Sequence, residues 1–245
     1  MNSVIELLKS HRSIRKFTKQ AIAPELLEEL FLAGQGAATS SFLQGATIIR
    51  VENKDTRKKI AALAGNQVYV ETAAEFMVFC ADLKRAGNYC KAYNKPFAGD
   101  YTEHFIIATV DVALMAQSLV AAAESVGLGI CYIGGIRNNP HEVTSLLQLP
   151  RGVYPVFGLC LGYPDQNPEI KPRLPLPVIV KQEVYNEAGD KDAIALYDAA
   201  VREYYRLRTG GGHGVSWSEQ VSELLSEKSR PHMKAFLAEQ GFTLI

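Results

Sequence analysis

Two guanidiniums, an imidazole and a hydroxyl stand together in His11-Arg12-Ser13-Ile14-Arg15. Arg presents a planar fork of donors that matches phosphate oxygens, and Ser adds one more, so the stretch is suited to holding an anion. Basic residues behind a helix also complement its dipole and satisfy its last carbonyls, and the residue types alone leave both roles open. Thr39, Ser40 and Ser41 bring three adjacent hydroxyls, followed by Phe42 and the Gln44 amide. They offer donors to a polar ligand or form a plain hydroxyl-rich loop. Gln67, in Gly65-Asn66-Gln67, presents an amide able to pair with a ring that carries both donors and acceptors. Lys171 and Arg173 lie in the proline-stiffened Lys171-Pro172-Arg173-Leu174-Pro175, where an extended backbone projects both from one side. Two positive charges there address one ligand, or decorate a solvated loop.

The elements that must position these groups follow from periodicity and breakers. Ser3 with Glu6 reads as a capping box, and Val4, Ile5, Leu7 and Leu8 give a short helix ending near Ser10. Pro24 opens a second helix over 24–33, broken by Gly34 and Gly36. Residues 46–51 form a strand, 55–64 a helix, and 76–81 a continuous apolar run that fits a buried central strand. The stretch 86–100 is polar, aromatic and irregular, a surface excursion or helical insertion. Residues 101–126 form the central helix; Thr109, Asp111, Gln117 and Glu124 interrupt it too often for a membrane span of about twenty apolar residues. The glycines that follow are no dinucleotide fingerprint, because the helix precedes them instead of following a strand. They leave a helix stop at Gly127 or Gly129, a short strand, and Gly134-Gly135, where backbone can approach a flat ligand without Cβ interference. A helix over 140–147 and a strand over 155–162 come next, then an edge-like strand over 178–184 and helices over 190–208 and 216–240, the last broken near Pro231. Residues 1–175 read as one domain and 176–245 as a C-terminal extension.

Bulk properties narrow the partners. Among 245 residues, 26 Lys and Arg balance 26 Asp and Glu, so no net field favours nucleic acid or an anionic membrane, and neither is expected. A 47% hydrophobic content supports a substantial core. The opening Met1-Asn2-Ser3-Val4-Ile5-Glu6 lacks the n-region and h-region of a signal peptide, and Cys80, Cys131 and Cys160 lie in apolar runs with no CxxC pair. A reduced, cytoplasmic protein is expected. No Cys/His pair has ligand spacing and His11, His104, His141, His213 and His232 are scattered, so no metal is expected.

With these segments in place the chain resembles the oxygen-insensitive NAD(P)H nitroreductase and flavin reductase family, FMN enzymes of α+β fold. The likeness covers essentially the whole length. It is carried by His11-Arg12-Ser13-Ile14-Arg15, Ser40-Ser41-Phe42-Leu43-Gln44, Gly65-Asn66-Gln67, Ala123-Glu124-Ser125 with Gly127-Leu128-Gly129, Tyr132-Ile133-Gly134-Gly135-Ile136-Arg137-Asn138-Asn139, Lys171-Pro172-Arg173-Leu174-Pro175 and Ser229-Arg230-Pro231. The resemblance implies a mixed sheet surrounded by helices, with the C-terminal extension completing an intertwined homodimer and its NAD(P)H and substrate pocket. By resemblance His11, Arg12, Ser13 and Arg15 hold the ribityl phosphate end of FMN, with help from Arg173. Gln67, Lys171 and the backbone of Tyr132, Ile133, Gly134 and Gly135 address the isoalloxazine ring. Thr39, Ser40 and Ser41 match a loop that approaches from the partner subunit, where the family has mostly serines.

The implied activity is alternation: NAD(P)H gives hydride to the flavin, leaves, and a small-molecule acceptor such as a nitroaromatic, quinone or free flavin takes its place. Hydride transfer needs no general base; Lys171 acts electrostatically on the charge that develops as the flavin is reduced. The alternatives are a reductase that passes reduced FMN to a partner monooxygenase, and a non-enzymatic flavin-binding redox sensor. Phe42, Arg137, Arg208, His213 and Arg230 fall at the NAD(P)H and acceptor positions, Arg230 being equally readable as a cap near Pro231. NADPH is the expected donor with NADH usable. Arg208 matches the first of several family arginines for the 2′-phosphate, whereas later ones fall at His213 and Gly214, so discrimination is expected to be weaker and to grow as His213 gains charge below its reference pKa of about 6.5.

Overall fold

The computed structural model describes residues 3–208, 210, 214–227 and 229–243. In chain order they form α1 (Ser3–Lys9), α2 (Pro24–Gln35), β1 (Ala46–Arg50), α3 (Lys54–Leu63), α4 (Tyr69–Thr72), β2 (Glu75–Asp82), α5 (Lys84–Ala92) and α6 (Thr102–Ser125). There follow β3 (Gly129–Ile133), α7 (Pro140–Leu146), β4 (Val153–Gly162), α8 (Leu176–Ile179), α9 (Asp190–Arg208), α10 (Trp217–Ser226) and α11 (Met233–Glu239). Short 3-10 turns lie at Ser40–Phe42 and Gly134–Asn138. The chain forms two compact units, Met1–Pro168 with His232–Ile245, and Glu169–Pro231.

In the first unit the strands pair in the order β1-β2-β4-β3. Side chains of β2 alternate between two cores: Phe76, Val78 and Cys80 join Ile60, Val70 and Ile133 on one face, while Met77, Phe79 and Ala81 join Val112, Leu119 and Leu159 on the other. Both faces are dry, which is why 76–81 reads as an unbroken apolar run; each fully buried Phe, Met or Val contributes roughly 1.5–3 kcal/mol relative to exposure. The structure has the expected α+β class, and among the described residues its four strands all pair antiparallel. The strand expected over 178–184 is absent. Val178, Ile179 and Val180 have the β-branched composition of a strand, but Pro175 and Pro177 fix φ as a first helical turn requires and Pro177 has no N–H for a ladder, so Leu176–Ile179 forms α8.

Two smaller expectations change for similarly local reasons. Ser3 lies within α1, and Glu6 pairs with Lys9 at 3.5 Å. Gly34 does not stop α2: a Cβ there would meet Leu119 Cβ at 3.2 Å and the Met115 carbonyl at 3.3 Å, so glycine serves the close approach of α2 to α6. α6 is by length and composition apolar enough to cross a membrane. Here Ala108, Asp111, Val112, Ala116, Leu119, Val120 and Ala123 are buried within the protein. Residues after Pro231 return to this same core, where Phe236 and Leu237 of α11 are buried and the His141 ring meets Phe236 edge-on at 5.0 Å.

In the second unit α9 packs with α8 and α10. α10 starts at a reciprocal capping box of Ser216 and Glu219. The Ser216 backbone and the Arg202 guanidinium hold the Glu219 carboxyl down at about 2.

Burial in the first unit sets an alkaline limit. It pushes the Cys80 thiol and the Tyr132 and Tyr154 phenols each up to about 12, and raises Cys160 well above its ordinary value. These groups keep their protons in the folded chain after the unfolded chain, with references of about 8.5 for Cys and 10 for Tyr, has lost them. Their contribution is therefore fully present below about pH 8.5 and is lost as pH rises toward about 12. Urea unfolding should show a clearly lower midpoint at about pH 10.5 than at pH 8; equal midpoints would mean that these groups titrate as freely folded as unfolded.

Candidate active site

The segment after α1 is an extended edge, not a frayed helix end. Ile14 N–H donates to the Ile130 carbonyl at 2.8 Å, Thr18 N–H to Tyr163 at 2.9 Å, and Phe17 bridges to Pro164. The terminal carbonyls of α1 are taken by Ser10, whose N–H reaches Glu6 and Leu7 at 3.0 Å each. Arg12 and Arg15 are thus not spent as caps. Buried Ile14 anchors the segment against Gly129, where a Cβ would fall 2.5 Å from Ile14 Cγ1. His11 and Arg12, with Ser13 half-buried beside them, stand at the sheet's rim, and Arg15 is exposed.

Each of the three cationic or imidazole side chains has a defined neighbour. His11 Nδ1 donates to Glu124 Oε1 at 2.6 Å, which leaves Nε2 as the ring's second polar atom. Arg12 Nη1 donates to the Pro168 carbonyl at 3.3 Å. The neighbouring Arg15 guanidinium opposes the burial that raises the Tyr69 phenol's pKa. A cavity of about 170 Å³ opens among Ser10, His11, Arg12, Glu124, Gly129 and Pro164.

The glycine pair lies where β3 ends. Ile133 is fully buried and the Tyr132 side chain turns toward α6, its hydroxyl 3.5 Å from Gln117 Oε1 and its ring edge-on to Phe157 at 5.0 Å. What this stretch presents is therefore backbone. A Cβ on Gly135 would collide with the Ala64 carbonyl and lie 3.0 Å from Gln67 Nε2. Gln67 Oε1 is buried and has no hydrogen-bond partner among the described residues, an arrangement that costs about 1–3 kcal/mol unless a ligand or water donates to it. Arg137 folds back, Nη1 donating to the Val156 carbonyl, while its own carbonyl accepts from His232 Nε2 at 2.9 Å. Arg57 fixes the approach to α4 by donating to the carbonyls of Val51, Ala73 and Ala74 at 2.6, 2.8 and 3.2 Å. Burial lowers its pKa.

Thr39, Ser40, Ser41 and Phe42 lie apart from this cluster. Thr39 and Gln44 border a different cavity of about 520 Å³ with Phe31, Ile48, Arg50 and Met115. Ser41, Phe42 and Gln44 are all left-handed, at φ 50°, 56° and 54°, and Phe42 is 81% exposed.

The remaining residues belong to the second unit and are described within it. Lys171 Nζ donates to the Tyr205 hydroxyl at 2.7 Å and sits 5.0 Å from that ring's centre. Arg173 Nη1 donates to the Lys171 backbone carbonyl at 2.9 Å. Arg208 Nη1 donates to the Tyr204 hydroxyl at 3.2 Å, whereas Arg202 and Arg206 are paired with Glu219 and Glu203 at 2.7 Å. Arg230 takes a left-handed φ of 51° directly before Pro231. His213 lies outside the described residues.

Reasoning from sequence therefore gathered His11, Arg12 and Ser13 with Arg15, and Gln67 with Gly135, as the structure does. It passed over Glu124, Tyr69 and Tyr205 as partners. Glu124 carried a signal, a carboxylate on an otherwise apolar helix; Tyr69 and Tyr205 carried none, since their partners are remote in sequence.

The nitroreductase family pattern fits residues 8–163, the family's C-terminal domain fits residues 171–245, and the chain belongs to this family. It is 45% identical to an NADPH-flavin oxidoreductase of Vibrio harveyi over 98% of each chain. It is 41% identical to an oxygen-insensitive NADPH nitroreductase of Salmonella typhimurium over 99% of each. Among solved structures, the NADPH:FMN oxidoreductase from Vibrio harveyi complexed with NAD+ superposes with a TM-score of 0.89 at 44% identity, over 98% of each chain.

Proposed function

We propose that this protein is a cytoplasmic, homodimeric FMN-dependent NAD(P)H oxidoreductase that reduces nitroaromatics, quinones or free flavins by alternating two-electron transfer. One observation carries the reading: the first unit sets uncapped, rim-placed Arg12 and Arg15 at the edge of the sheet that ends in Gly135 and the unsatisfied amide of Gln67. Those features match the two ends of FMN. Phosphate calls for fixed cationic donors, and a flat ring with amide-like edges calls for a backbone approach and a hydrogen-bonding side chain. The flavin oxidoreductase and nitroreductase relatives agree with this, and the four free cysteines suit a reducing compartment.

In this reading His11, Arg12, Ser13 and Arg15 hold the phosphate with Arg173, and Glu124 and Tyr69 orient His11 and Arg15. Gln67, Lys171 and the backbone of 132–135 orient the ring, and Thr39, Ser40 and Ser41 reach it from a second copy of the chain. FMN, when bound, supplies a two-electron acceptor and donor on an exposed ring face. Lys171, steadied by Tyr205, places positive charge where the reduced ring becomes anionic. Phe42, Arg137, Arg208, His213 and Arg230 face the nucleotide and the acceptor. The extension from 176 onward completes that pocket and the dimer. Use of free FMN as acceptor, with delivery to a monooxygenase, is a second reading favoured by the flavin oxidoreductase relative.

The purified protein should be yellow with a flavin spectrum, bleach on anaerobic mixing with NADPH and also with NADH, and recover on adding menadione, a nitrofuran or FMN. A colourless protein, or a flavin that does not bleach within the turnover time, would refute the enzyme. Light scattering at micromolar concentration should return twice the mass of one chain; a flavin-retaining monomer would remove the shared site. Replacing Arg15 by Ala should weaken FMN binding by about 1.5–3 kcal/mol, read by fluorescence titration of apoprotein, and an unchanged Kd would take Arg15 off the phosphate.

A further inference from the structure

Asp111 is a carboxylate buried in the middle of α6, 1% exposed. Among the described residues it has no cationic partner. Its carboxylate instead accepts two backbone amides, Ser40 N–H at Oδ1 (3.1 Å) and Gly45 N–H at Oδ2 (3.0 Å). Those amides are the two ends of one loop. Between them Ser41, Phe42 and Gln44 adopt left-handed φ values, which L-residues disfavour and keep only where their surroundings impose them. Gly45 presses the loop's end onto α6, since a Cβ there would lie 3.2 Å from Ala108 Cα and Cβ. At the apex stands Phe42, 81% exposed.

The chemistry of the clamp is specific. The two N–H donors reach different oxygens of Asp111, and an amide of the same shape would place an acceptor at only one of those two positions. Ionised acceptors also give the stronger bond to backbone N–H, and two such bonds hold the carboxylate in a dry site without a cation.

We propose that Asp111 is a positioning residue of the acceptor site: by clamping both ends of the 40–45 loop it imposes the left-handed apex and so fixes the direction in which Phe42 is presented to the electron acceptor. This rests on the reading that Phe42 borders that acceptor, and the two can fail separately.

The test uses holoenzyme carrying Asp111→Asn, Phe42→Ala or both, with rates normalised to bound flavin and nitrofurazone as acceptor. Asn keeps the volume of Asp but turns an N–H2 toward one of the two donors. Hydrogen exchange of the peptide spanning 39–46 should quicken about tenfold in Asp111→Asn, as for loss of a charge-assisted bond. The acceptor KM should rise about five- to tenfold with kcat changed less. In the Phe42→Ala background the same substitution should change KM less than twofold, because the side chain it aims is gone. Additive effects of the two changes would overturn the proposal, since a general loss of packing acts whether or not Phe42 is present. Unaltered exchange over 39–46 would overturn it as well. Faster exchange combined with a silent Phe42→Ala would support the clamp and instead remove Phe42 from the acceptor site. If Asp111→Asn folds poorly, Ser40→Pro deletes one of the two donors behind extended Thr39, at φ −131° and ψ 148°, and should quicken exchange at the Gly45 end with the same shift in KM.

Discussion

A largely apolar helix packed against a sheet is oriented by those of its polar groups that find partners on other elements. Four such groups on α6 each reach a different part of the first unit. Thr109 Oγ1 meets the Tyr154 hydroxyl at 2.5 Å, Asp111 takes the amides of Ser40 and Gly45, Gln117 faces the Tyr132 hydroxyl, and Glu124 takes His11. Hydrophobic burial sets where α6 lies and is indifferent to rotation by a few degrees. Hydrogen bonds are not: turning α6 would take buried Asp111 away from the amides of Ser40 and Gly45, at about 1–3 kcal/mol for each buried group left unmet. The same four contacts therefore fix the helix and, through it, the placement of two candidate ligand-facing segments.

A sheet dry on both faces also determines where chemistry can sit. Its interior positions take Phe76, Met77, Val78 and Phe79, none exposed, and leave no room for a solvated cofactor. Polar function is pushed to the strand ends and rims, which is where His11 to Arg15 run beside Ile130 and where Gly134 and Gly135 follow Ile133. The rim is kept rigid by buried charge. Arg57 gathers three carbonyls just after β1 and α4, tying the end of α4 to the sheet.

What was legible in the sequence follows from the range of the interactions involved. The periodicity of α6 and the apolar run of β2 are local consequences of burial, and both elements were placed within about two residues of their ends. The strand expected over 178–184 failed because composition favoured β while two prolines governed the backbone, a conflict that composition alone does not resolve. Gly34 was read as a breaker because the sequence does not say that Met115 and Leu119 pass beside it. Asp111 and Glu124 were visible only as interruptions of an apolar helix. Their partners lie 66 to 113 positions away, and no spacing rule spans that distance.

The second unit distributes its charge differently, and the difference bears on how a nucleotide is met. Arg202 and Arg206 already face carboxylates, and both pairs are about half exposed, so water screens them. A phosphate can recruit either one, but only by displacing Glu219 or Glu203 and leaving that anion nearby. Arg208 is held by a neutral phenol, the Tyr204 hydroxyl. No carboxylate has to be displaced to use it, and the phenol restricts the side chain without neutralising it. Of the three arginines on α9, Arg208 therefore offers a phosphate its full charge at the smallest rearrangement.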